Sequence, residues 1–236
     1  MAHKTQVDIF TIISRFYPAF FYKKKVLEVG SLNVNGSVRD FFHECEYVGS
    51  DVASGKDVDI ATPGQLLEFP TNFFDVVIST ECFEHNPFWI ETFVNMLRMM
   101  KRAGMLIVTC ASAGRGEHGT GRTTPENSPL TSQIGWEYYR NLTKRDFQVL
   151  NLGNWFKSYC LVEGGPNNDL ILVAFGRDSN CQITEQFSNA VNNCMKYTFW
   201  SRFLAIVNKI LGNHYFQELY VFVRKYVPFL LRSNRK

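Results

Sequence analysis

The chain has 236 residues, 45% of them hydrophobic and 20% charged, which is an ordinary globular composition with enough apolar residues for a sizeable core. Its six cysteines form no CxxC pair, which argues against a zinc knuckle or a redox dithiol and favours a reducing compartment, the cytoplasm. The formal net charge is +3, but residues 181–236 contain eight Lys or Arg and only two Glu. The body is therefore mildly acidic and the C-terminal segment is basic.

Residues 1–22 are apolar at helical spacing and carry Asp8 and Arg15. They show no small-residue cleavage site, so we expect an N-terminal helix over the functional site and not a signal peptide. No stretch of about eighteen uncharged apolar residues occurs in the sequence, so no segment is a convincing membrane span. These features predict a cytoplasmic protein, either free or peripheral at the inner face of a membrane.

Short apolar runs then alternate with helix-like segments, including 38–44 and 87–104, across residues 23–178. This alternation predicts an α/β domain with a Rossmann-like, seven-stranded, mostly parallel sheet and helices on both faces. The predicted strands are 25–30, 46–51, 57–60, 74–79, 104–110, 158–163 and 169–175.

The last two predicted strands are joined only by residues 164–168, GGPNN. A parallel crossover needs about a dozen residues or more, so this link should be a hairpin and one of the two strands should be antiparallel. One antiparallel strand at this end of the sheet separates the methyltransferase variant of the fold from the usual dinucleotide-binding fold.

The segment after the first predicted strand, LEVGSLNVNGS, indicates which cofactor is bound. Nicotinamide and flavin proteins read G-x-G-x-x-G here, and the second glycine lets the backbone approach a pyrophosphate. In this chain Gly30 is followed by Ser31 and Leu32, and the Glu28 carboxylate would repel phosphates. A cationic cofactor without phosphate, S-adenosylmethionine (SAM), fits better, and the Asn-rich loop around Asn35 offers it neutral hydrogen bonds.

Two further acidic residues end predicted strands. Asp51 closes the second strand, where a carboxylate can accept both ribose hydroxyls of SAM or, equally, of NAD. Asp59 closes the third strand and could meet the adenine edge. Either residue alone could be a solvated turn residue.

Over roughly residues 23–176 the chain resembles the class I SAM-dependent methyltransferases. The resemblance is carried by VLEVGSLNVNGS, YVGSDV and FDVVISTECFEHNPFWIETFVNMLRMMKRAGMLIVT, although the family's E/D-x-G-x-G-x-G loop is here Glu-Val-Gly-Ser-Leu-Asn-Val-Asn-Gly. It implies contacts to SAM at a set of strand-end residues. They are Glu28, Gly30, Ser31, Gly36, Asp51, Asp59, Thr80 and Glu81, and the Asn-rich loop adds Asn35 as a predicted cofactor contact.

Residues 111–142 form a long Gly- and Pro-punctuated insertion that we expect to act as a lid or substrate wall. GRGEHG within it is a literal G-x-G-x-x-G, but no helix can follow it, so a mobile lid is the better interpretation. Sugar- and small-molecule-type members of the resembling family often carry a histidine and then an aromatic-aromatic-Arg segment before a Thr-capped helix. The resemblance implies His118 as the catalytic base and Trp136, Tyr139 and Arg140 as substrate contacts, with Thr143 as the cap. Simple packing of the aromatic residues is the alternative.

His85 in the segment EHNPFW is a second candidate base, although a histidine here could instead cap the following helix. HNPFW only faintly resembles the motif of amino-group DNA methyltransferases, and the acidic body disfavours a phosphate backbone. We therefore predict no nucleic-acid partner, and we predict no metal site.

Residues 179–236 predict a basic, aromatic, helical C-terminal extension. YTFWSRFLAIVNKILG and YFQELYVFVRKYVPFLLR both have apolar residues at helical spacing with interspersed Lys and Arg. Docking on the body, a homodimer through these helices, and peripheral contact with an anionic membrane remain as alternatives.

Together these features predict a SAM-dependent methyltransferase that modifies an oxygen of a sugar, a glycan or another small polar metabolite. Two alternatives remain. One is an NAD(P)-linked Rossmann oxidoreductase, which the missing glycine and the terminal hairpin disfavour, and the other is a non-catalytic methyltransferase-like scaffold.

Overall fold

The computed structural model describes residues 4–226. Its centre is a seven-stranded sheet with the strand order β3-β2-β1-β4-β5-β7-β6. The strands are β1 (Lys25–Val29), β2 (Glu46–Asp51), β3 (Ile60–Ala61), β4 (Phe74–Thr80), β5 (Met100–Ala111), β6 (Phe156–Gly164) and β7 (Asp169–Gly176).

The sheet confirms the predicted mixed topology. β1 pairs in parallel with β2 and β4, β2 with β3, and β4 with β5. β7 is antiparallel to both β5 and β6, and the short link between β6 and β7 forms the predicted hairpin. The five parallel strands therefore end at one edge of the sheet, where ligands bind in open α/β folds.

Helices cover both faces of the sheet. They are α1 (Lys4–Phe16), α2 (Trp89–Met99), α3 (Pro129–Gln133), α4 (Lys144–Gln148), α5 (Leu152–Trp155), α6 (Glu185–Cys194), α7 (Phe199–Leu211) and α8 (Asn213–Tyr226). Because side chains alternate along a strand, Leu27 and Val29 enter the core under α2, whereas Val26 enters the core under α1 and α6. Within residues 4–226, no helix combines the length and apolar character needed to cross a bilayer.

The helix expected over residues 38–44 does not form, and this prediction was wrong. The segment makes only a 3₁₀ turn, Val38–Phe41, after which Phe42 is extended. Aromatic packing accounts for the difference, because the Phe42 ring stacks on Phe21 with 4.7 Å between centroids and Phe41 packs on Phe10 at 5.6 Å. The loop after β1 thus leads into no α-helix.

Most strand boundaries shift by one or two residues from the prediction, and the changes around α2 and β3 are larger. α2 ends at Met99 and not at Gly104, because Met100 is already extended and pairs with Phe74 as β5 begins. β3 contains only Ile60 and Ala61, so Asp59 lies just before it, although the Asp59 amide still donates to the Gly49 carbonyl at 2.8 Å. The predicted α4 is confirmed, with Thr143 as the N-cap in a capping box with Asp146.

The C-terminal helices pack on the body at two places. α6 lies against α1, with Phe187 and Val191 buried beside Ile9 and Phe10. α8 lies against the 111–142 insertion, where the Gln217 side chain accepts a hydrogen bond from the Glu117 amide at 2.7 Å.

The N-terminal helix α1 also reaches the sheet near the carboxyl end of β5, where the Gln6 side chain donates to the Thr109 hydroxyl.

Candidate active site

A cavity of about 270 Å³ lies at the carboxyl edge of the parallel strands. Its floor is formed by residues that directly follow strands: Gly30 after β1, Asp51 at the end of β2, and Glu81 with Cys82 after β4. Leu32 and Val34 of the loop after β1, His85, the 111–142 insertion and α8 form its remaining walls. This is the position at which a parallel α/β sheet holds its ligand.

The loop after β1 offers few amides to a phosphate, because its N–H groups are already bonded within the protein. The amides of Gly30 and Ser31 both donate to the Ser50 carbonyl, at 2.8 and 3.0 Å. The Leu32 amide donates to the Asp51 carboxylate at 3.1 Å. Those of Asn33 and Val34 donate to backbone carbonyls, and that of Gly36 to the Asn33 side chain at 2.9 Å. No α-helix follows the loop, so the helix N-terminus whose dipole usually helps to bind a diphosphate is missing as well.

Gly30 meets two constraints at once. Its φ of +84° lies in the left-handed region that favours glycine. A Cβ at this position would lie 2.5 Å from the Cβ of Cys82, so the loop passes directly over the start of the segment that follows β4. Glycine is therefore required for this loop to reach the cavity.

Asp51 both organises the loop and lines the cavity. Its Oδ2 accepts from the Leu32 amide, and its Oδ1 accepts from the Val52 amide at 2.7 Å. Burial raises the pKa of this carboxyl, and the two amides counter part of the shift. Each carboxylate oxygen has a second lone pair, so Asp51 can still accept hydrogen bonds from the hydroxyls of a ligand.

Glu81 marks a strained position on the cavity wall. Its φ is +50°, which is uncommon for a residue other than glycine and is found preferentially at functional sites. One carboxylate oxygen lies 3.5 Å from the Arg115 guanidinium, which also pairs with the buried Asp169 at 2.9 Å. Burial disfavours the charged form of Arg115, yet these carboxylates raise the pKa of Arg115 above its usual range.

Several of the predicted cofactor residues do not line the cavity. Glu28 is buried within the sheet, where its carboxylate accepts from the Tyr47 hydroxyl at 2.7 Å and the Thr80 hydroxyl at 3.3 Å. Ser31 donates to the Asp57 carbonyl, and Asp59 accepts from the Gly49 amide and the Arg39 guanidinium. Thr80 and the exposed Asn35 and Gly36 do not line the cavity either. Of the predicted cofactor residues, Gly30, Asp51 and Glu81 do line it.

Both predicted catalytic histidines lie on the cavity, although they are thirty-three positions apart in the chain. The rings of His85 and His118 meet edge to face with 5.0 Å between centroids, and the Tyr139 ring lies 5.4 Å from the first and 5.1 Å from the second. Burial, reinforced by the neighbouring His118, lowers the pKa of His85 well below its ordinary value. His85 is therefore neutral near pH 7. It does not cap α2, whose N-cap residue is Phe88.

A buried carboxyl, Glu84, completes this cluster. One of its oxygens accepts from the Ala111 amide, while its Oε2 and the Nδ1 of His85 find no hydrogen-bond partner among the described residues. Burial and the neighbouring Glu81 raise the pKa of Glu84 well above its usual range. Ligand atoms of Glu84, His85 and His118 lie within 4.8 Å of one another, so these three residues could hold a divalent cation. The sequence analysis predicted no such group.

The insertion supplies the polar part of the wall. Besides Arg115 and His118, it contributes the neutral side chains Thr124, Asn127, Ser128 and Thr131. Trp136 packs on Phe88 and borders a small side pocket that adjoins the cavity. The Tyr139 hydroxyl donates to the Gly116 carbonyl at 3.3 Å. Arg140 does not line the cavity; its side chain is paired with Asp146 and its amide donates to the Glu84 carbonyl.

α8 contributes residues to the cavity that the sequence analysis did not identify as site residues. Tyr220 and Arg224 line it, and a Cβ on Gly116 would overlap the Tyr220 ring, so this helix lies directly on the insertion. Arg115, Glu84 and Cys82 were also missed. These three residues come shortly after the carboxyl ends of β4 and β5, so the strand pattern could have indicated them. α8 reaches the cavity only through tertiary packing, which the sequence pattern does not reveal.

Comparison with known proteins agrees with this geometry. Residues 42–108, less than a third of the chain, match a family model described as a methyltransferase domain. A search of curated protein sequences finds no match.

Three solved structures illustrate the fold similarity. Phosphoethanolamine N-methyltransferase 2 of Haemonchus contortus, in complex with phosphomonomethylethanolamine and S-adenosylhomocysteine, has a TM-score of 0.52 at 16% identity over 72% of this chain and 52% of its own. Burkholderia thailandensis 1,6-didemethyltoxoflavin-N1-methyltransferase, also with S-adenosylhomocysteine, has a TM-score of 0.51 at 12% identity over 74% and 79%. A SAM-dependent methyltransferase of Archaeoglobus fulgidus has a TM-score of 0.50 at 12% identity over 73% and 94%.

This chain has the fold of the class I SAM-dependent methyltransferases. It spans about half the length of the Haemonchus enzyme. The antiparallel β7 and the engaged amides after β1 both favour this methyltransferase fold over the NAD(P)-linked alternative. Two of the three structures hold S-adenosylhomocysteine, which is SAM without the transferred methyl group, and they act on nitrogen according to their names.

Proposed function

We propose that the chain is a SAM-dependent methyltransferase that methylates a hydroxyl of a sugar, a glycan or another small polar acceptor. The observation that supports this most directly is the placement of a histidine pair, the buried His85 and the half-buried His118, on the same cavity as the strand-end residues Gly30 and Asp51. The candidate proton acceptor and the strand ends expected to bind the cofactor therefore line the same cavity.

The strand-end half of the cavity fits SAM. Its carboxylates are Asp51 and Glu81, the second of which is paired with Arg115 at 3.5 Å, and carboxylates suit a ligand that carries a sulfonium and an ammonium. The engaged loop amides leave no cradle for a diphosphate. We assign Asp51 to the ribose hydroxyls and Glu81 to the cationic end. SAM supplies an electrophilic methyl group, and the protein aligns the acceptor with it, which can contribute several orders of magnitude in rate.

The histidine pair suits the removal of a proton from a hydroxyl. The Nδ1 of His118 lies 3.1 Å from the Gly116 carbonyl, an arrangement that places the ring proton on Nδ1 and presents Nε2 as an acceptor. Burial first, and then the neighbouring His118, lowers the pKa of His85 well below its ordinary value, so His85 stays neutral beside the base. We assign His118 as the base and His85 as its neutral neighbour.

The rest of the wall favours a hydroxyl-rich acceptor. Beside the cations Arg115 and Arg224, the neutral side chains Thr124, Asn127, Ser128 and Thr131 offer both donors and acceptors. A hydroxyl oxygen is a weak nucleophile until a base takes its proton, whereas the nitrogen of a neutral amine can attack the methyl group directly. A histidine pair on the cavity is therefore more useful for oxygen than for nitrogen. Methylation of nitrogen, the chemistry in the names of two structural neighbours, is the alternative for the same site.

Methyl transfer from SAM labelled in its methyl group tests the proposal. The labelled cofactor would be incubated with the wild-type chain and with separate pools of sugars, glycan extracts and small amines, and the product would be located by mass spectrometry. We expect O-methyl products, and we expect His118→Gln to lower kcat by about 10²- to 10⁴-fold while the Kd for SAM stays within about twofold.

The matched control is His43→Gln, which changes an exposed histidine remote from the cavity and should leave kcat unchanged. SAM binding without transfer to any pool would contradict the proposal and favour the scaffold alternative. Transfer to an amine that survives His118→Gln would retain the methyltransferase but overturn the assignment of oxygen and of the base. A chelator added to each reaction distinguishes two mechanisms. It should leave the rate unchanged if His118 acts as a base, and it should lower the rate if a metal held by Glu84 and the two histidines takes part.

A further inference from the structure

α7 presents an apolar stripe to solvent. Phe199, Phe203, Ile206 and Ile210 follow one another at i, i+4, i+7 and i+11, which places them on one face of the helix. Each of them is between 46% and 87% exposed. The opposite face is the one that packs on the protein, and its buried members are the polar residues Ser201 and Asn208. This is the reverse of the usual surface helix, whose apolar stripe faces the core.

α8 repeats the pattern. Tyr215, Leu219, Phe222 and Tyr226 have the same spacing, and each is between 46% and 70% exposed. The inward side of α8 carries two buried residues, the apolar Phe216 and the polar Gln217, and the Gln217 side chain bonds to the Glu117 amide and the Arg115 carbonyl. The two helices are joined by Gly212 alone and pack against each other. We call these eight exposed side chains the outer stripe.

An exposed apolar surface of this kind marks an interaction site. Exposed basic side chains, Arg202, Lys209 and Lys225, accompany the outer stripe on the same two helices. Glu218, the single acidic residue of α7 and α8, is already paired with Arg122 at 2.8 Å. A second copy of the chain would bring an equally basic segment against this one, whereas anionic lipid headgroups would neutralise it.

We propose that the outer stripe and its basic flanks bind the surface of an anionic lipid bilayer. Aromatic and aliphatic side chains on one side with Lys and Arg beside them are the composition of helices that lie in a membrane interface. The proposal stands on α7 and α8 alone and does not depend on the methyltransferase assignment.

Membrane docking would also explain why α8 closes the cavity. Tyr220 and Arg224, on the inward side of α8, line the cavity while the outer stripe faces away from it. The helix that contacts the bilayer is therefore the one that borders the acceptor space. An acceptor with a lipid anchor, such as a lipid-linked glycan, would reach the cavity without leaving the membrane surface.

Vesicle co-sedimentation of the full chain tests this proposal. The vesicles would be phosphatidylcholine with and without phosphatidylglycerol, at low and high salt. We expect binding that requires phosphatidylglycerol and weakens with salt, because the basic flanks supply part of the attraction. The double variant Ile206→Asp/Ile210→Asp should bind at least about tenfold more weakly, since two apolar contacts are replaced by charges that the headgroups repel.

The matched control is Ile90→Asp/Val94→Asp, which changes two apolar residues at the same i, i+4 spacing on the exposed side of α2. It should bind vesicles like the wild type, and thermal melts of both variants would verify that they fold. Equal binding by both variants, or no binding to anionic vesicles by the wild type, would overturn the proposal. So would a concentration-dependent dimer in light scattering that only the Ile206/Ile210 variant loses, since the occupant would then be a second copy.

Discussion

The two halves of the cavity are built in different ways. The loop after β1, residues 30–36, is held by its own backbone amides, which bond to the neighbouring strand end and to the loop itself. The 111–142 insertion instead brings side chains to the cavity and is held by residues from far along the chain, as when Gln217 of α8 bonds to Glu117. The first half is thus a local product of strand order, and the second depends on tertiary packing.

This difference separates the roles of the halves. A loop whose amides are already bonded can position a cofactor with little reorganisation, so it suits a constant ligand. An insertion lined by Thr, Asn and Ser can be changed without disturbing the sheet, so it suits the part of the reaction that differs between enzymes of one fold.

The largest effect should follow from a methyl group at Gly30. Gly30→Ala would place a Cβ 2.5 Å from the Cys82 Cβ at a φ of +84°, so the loop must shift away from the cavity edge. We expect a loss of about 1–3 kcal/mol in the free energy of unfolding and roughly a hundredfold weaker SAM binding. Chemical denaturation and calorimetry measure the two quantities.

Gly153→Ala is the control for Gly30→Ala. No atom lies within 4 Å of a Cβ there, and Gly153 is exposed in the short helix α5. It should leave SAM binding unchanged and add up to about 1 kcal/mol to stability. Unaltered SAM affinity in Gly30→Ala would show that the loop does not form the cofactor edge.

Substitutions at Asp51 and Glu28 should have smaller and different effects, although the sequence analysis predicts that both carboxylates contact the cofactor. Asp51→Asn keeps one acceptor for the Leu32 amide but weakens contacts to ligand hydroxyls, so SAM affinity should fall about tenfold. Glu28→Gln replaces a buried carboxyl that bonds to Tyr47 and Thr80 and does not line the cavity. It should lower stability by about 1 kcal/mol and leave SAM affinity within about twofold.

Calorimetric titration of both variants with SAM makes this comparison. A tenfold loss in Glu28→Gln with none in Asp51→Asn would reverse the two roles. The carboxylate in the sheet would then act on the cofactor, and the one at the cavity would be structural.

The sheet and its hairpin could be predicted because they depend on local patterns, such as the apolar runs and the five-residue link 164–168. The absence of a helix at 38–44 could not be predicted, because it depends on the tertiary packing of Phe42 on Phe21. The same distinction holds at the site. Gly30 and Asp51 could be predicted because they lie at the ends of predicted strands. Glu28 is near a strand end in the sequence, but its side chain is buried in the sheet and bonds to Tyr47. Tyr220 reaches the cavity only through the packing of α8.

The central claim is that the strand-end half of the cavity accepts a cationic cofactor and has no place for a diphosphate. Isothermal titration of the wild-type chain with SAM and, separately, with NADH tests it most directly. The account predicts a saturating heat with SAM and none with NADH at the same concentrations. Saturable binding of NADH that SAM fails to match would contradict it.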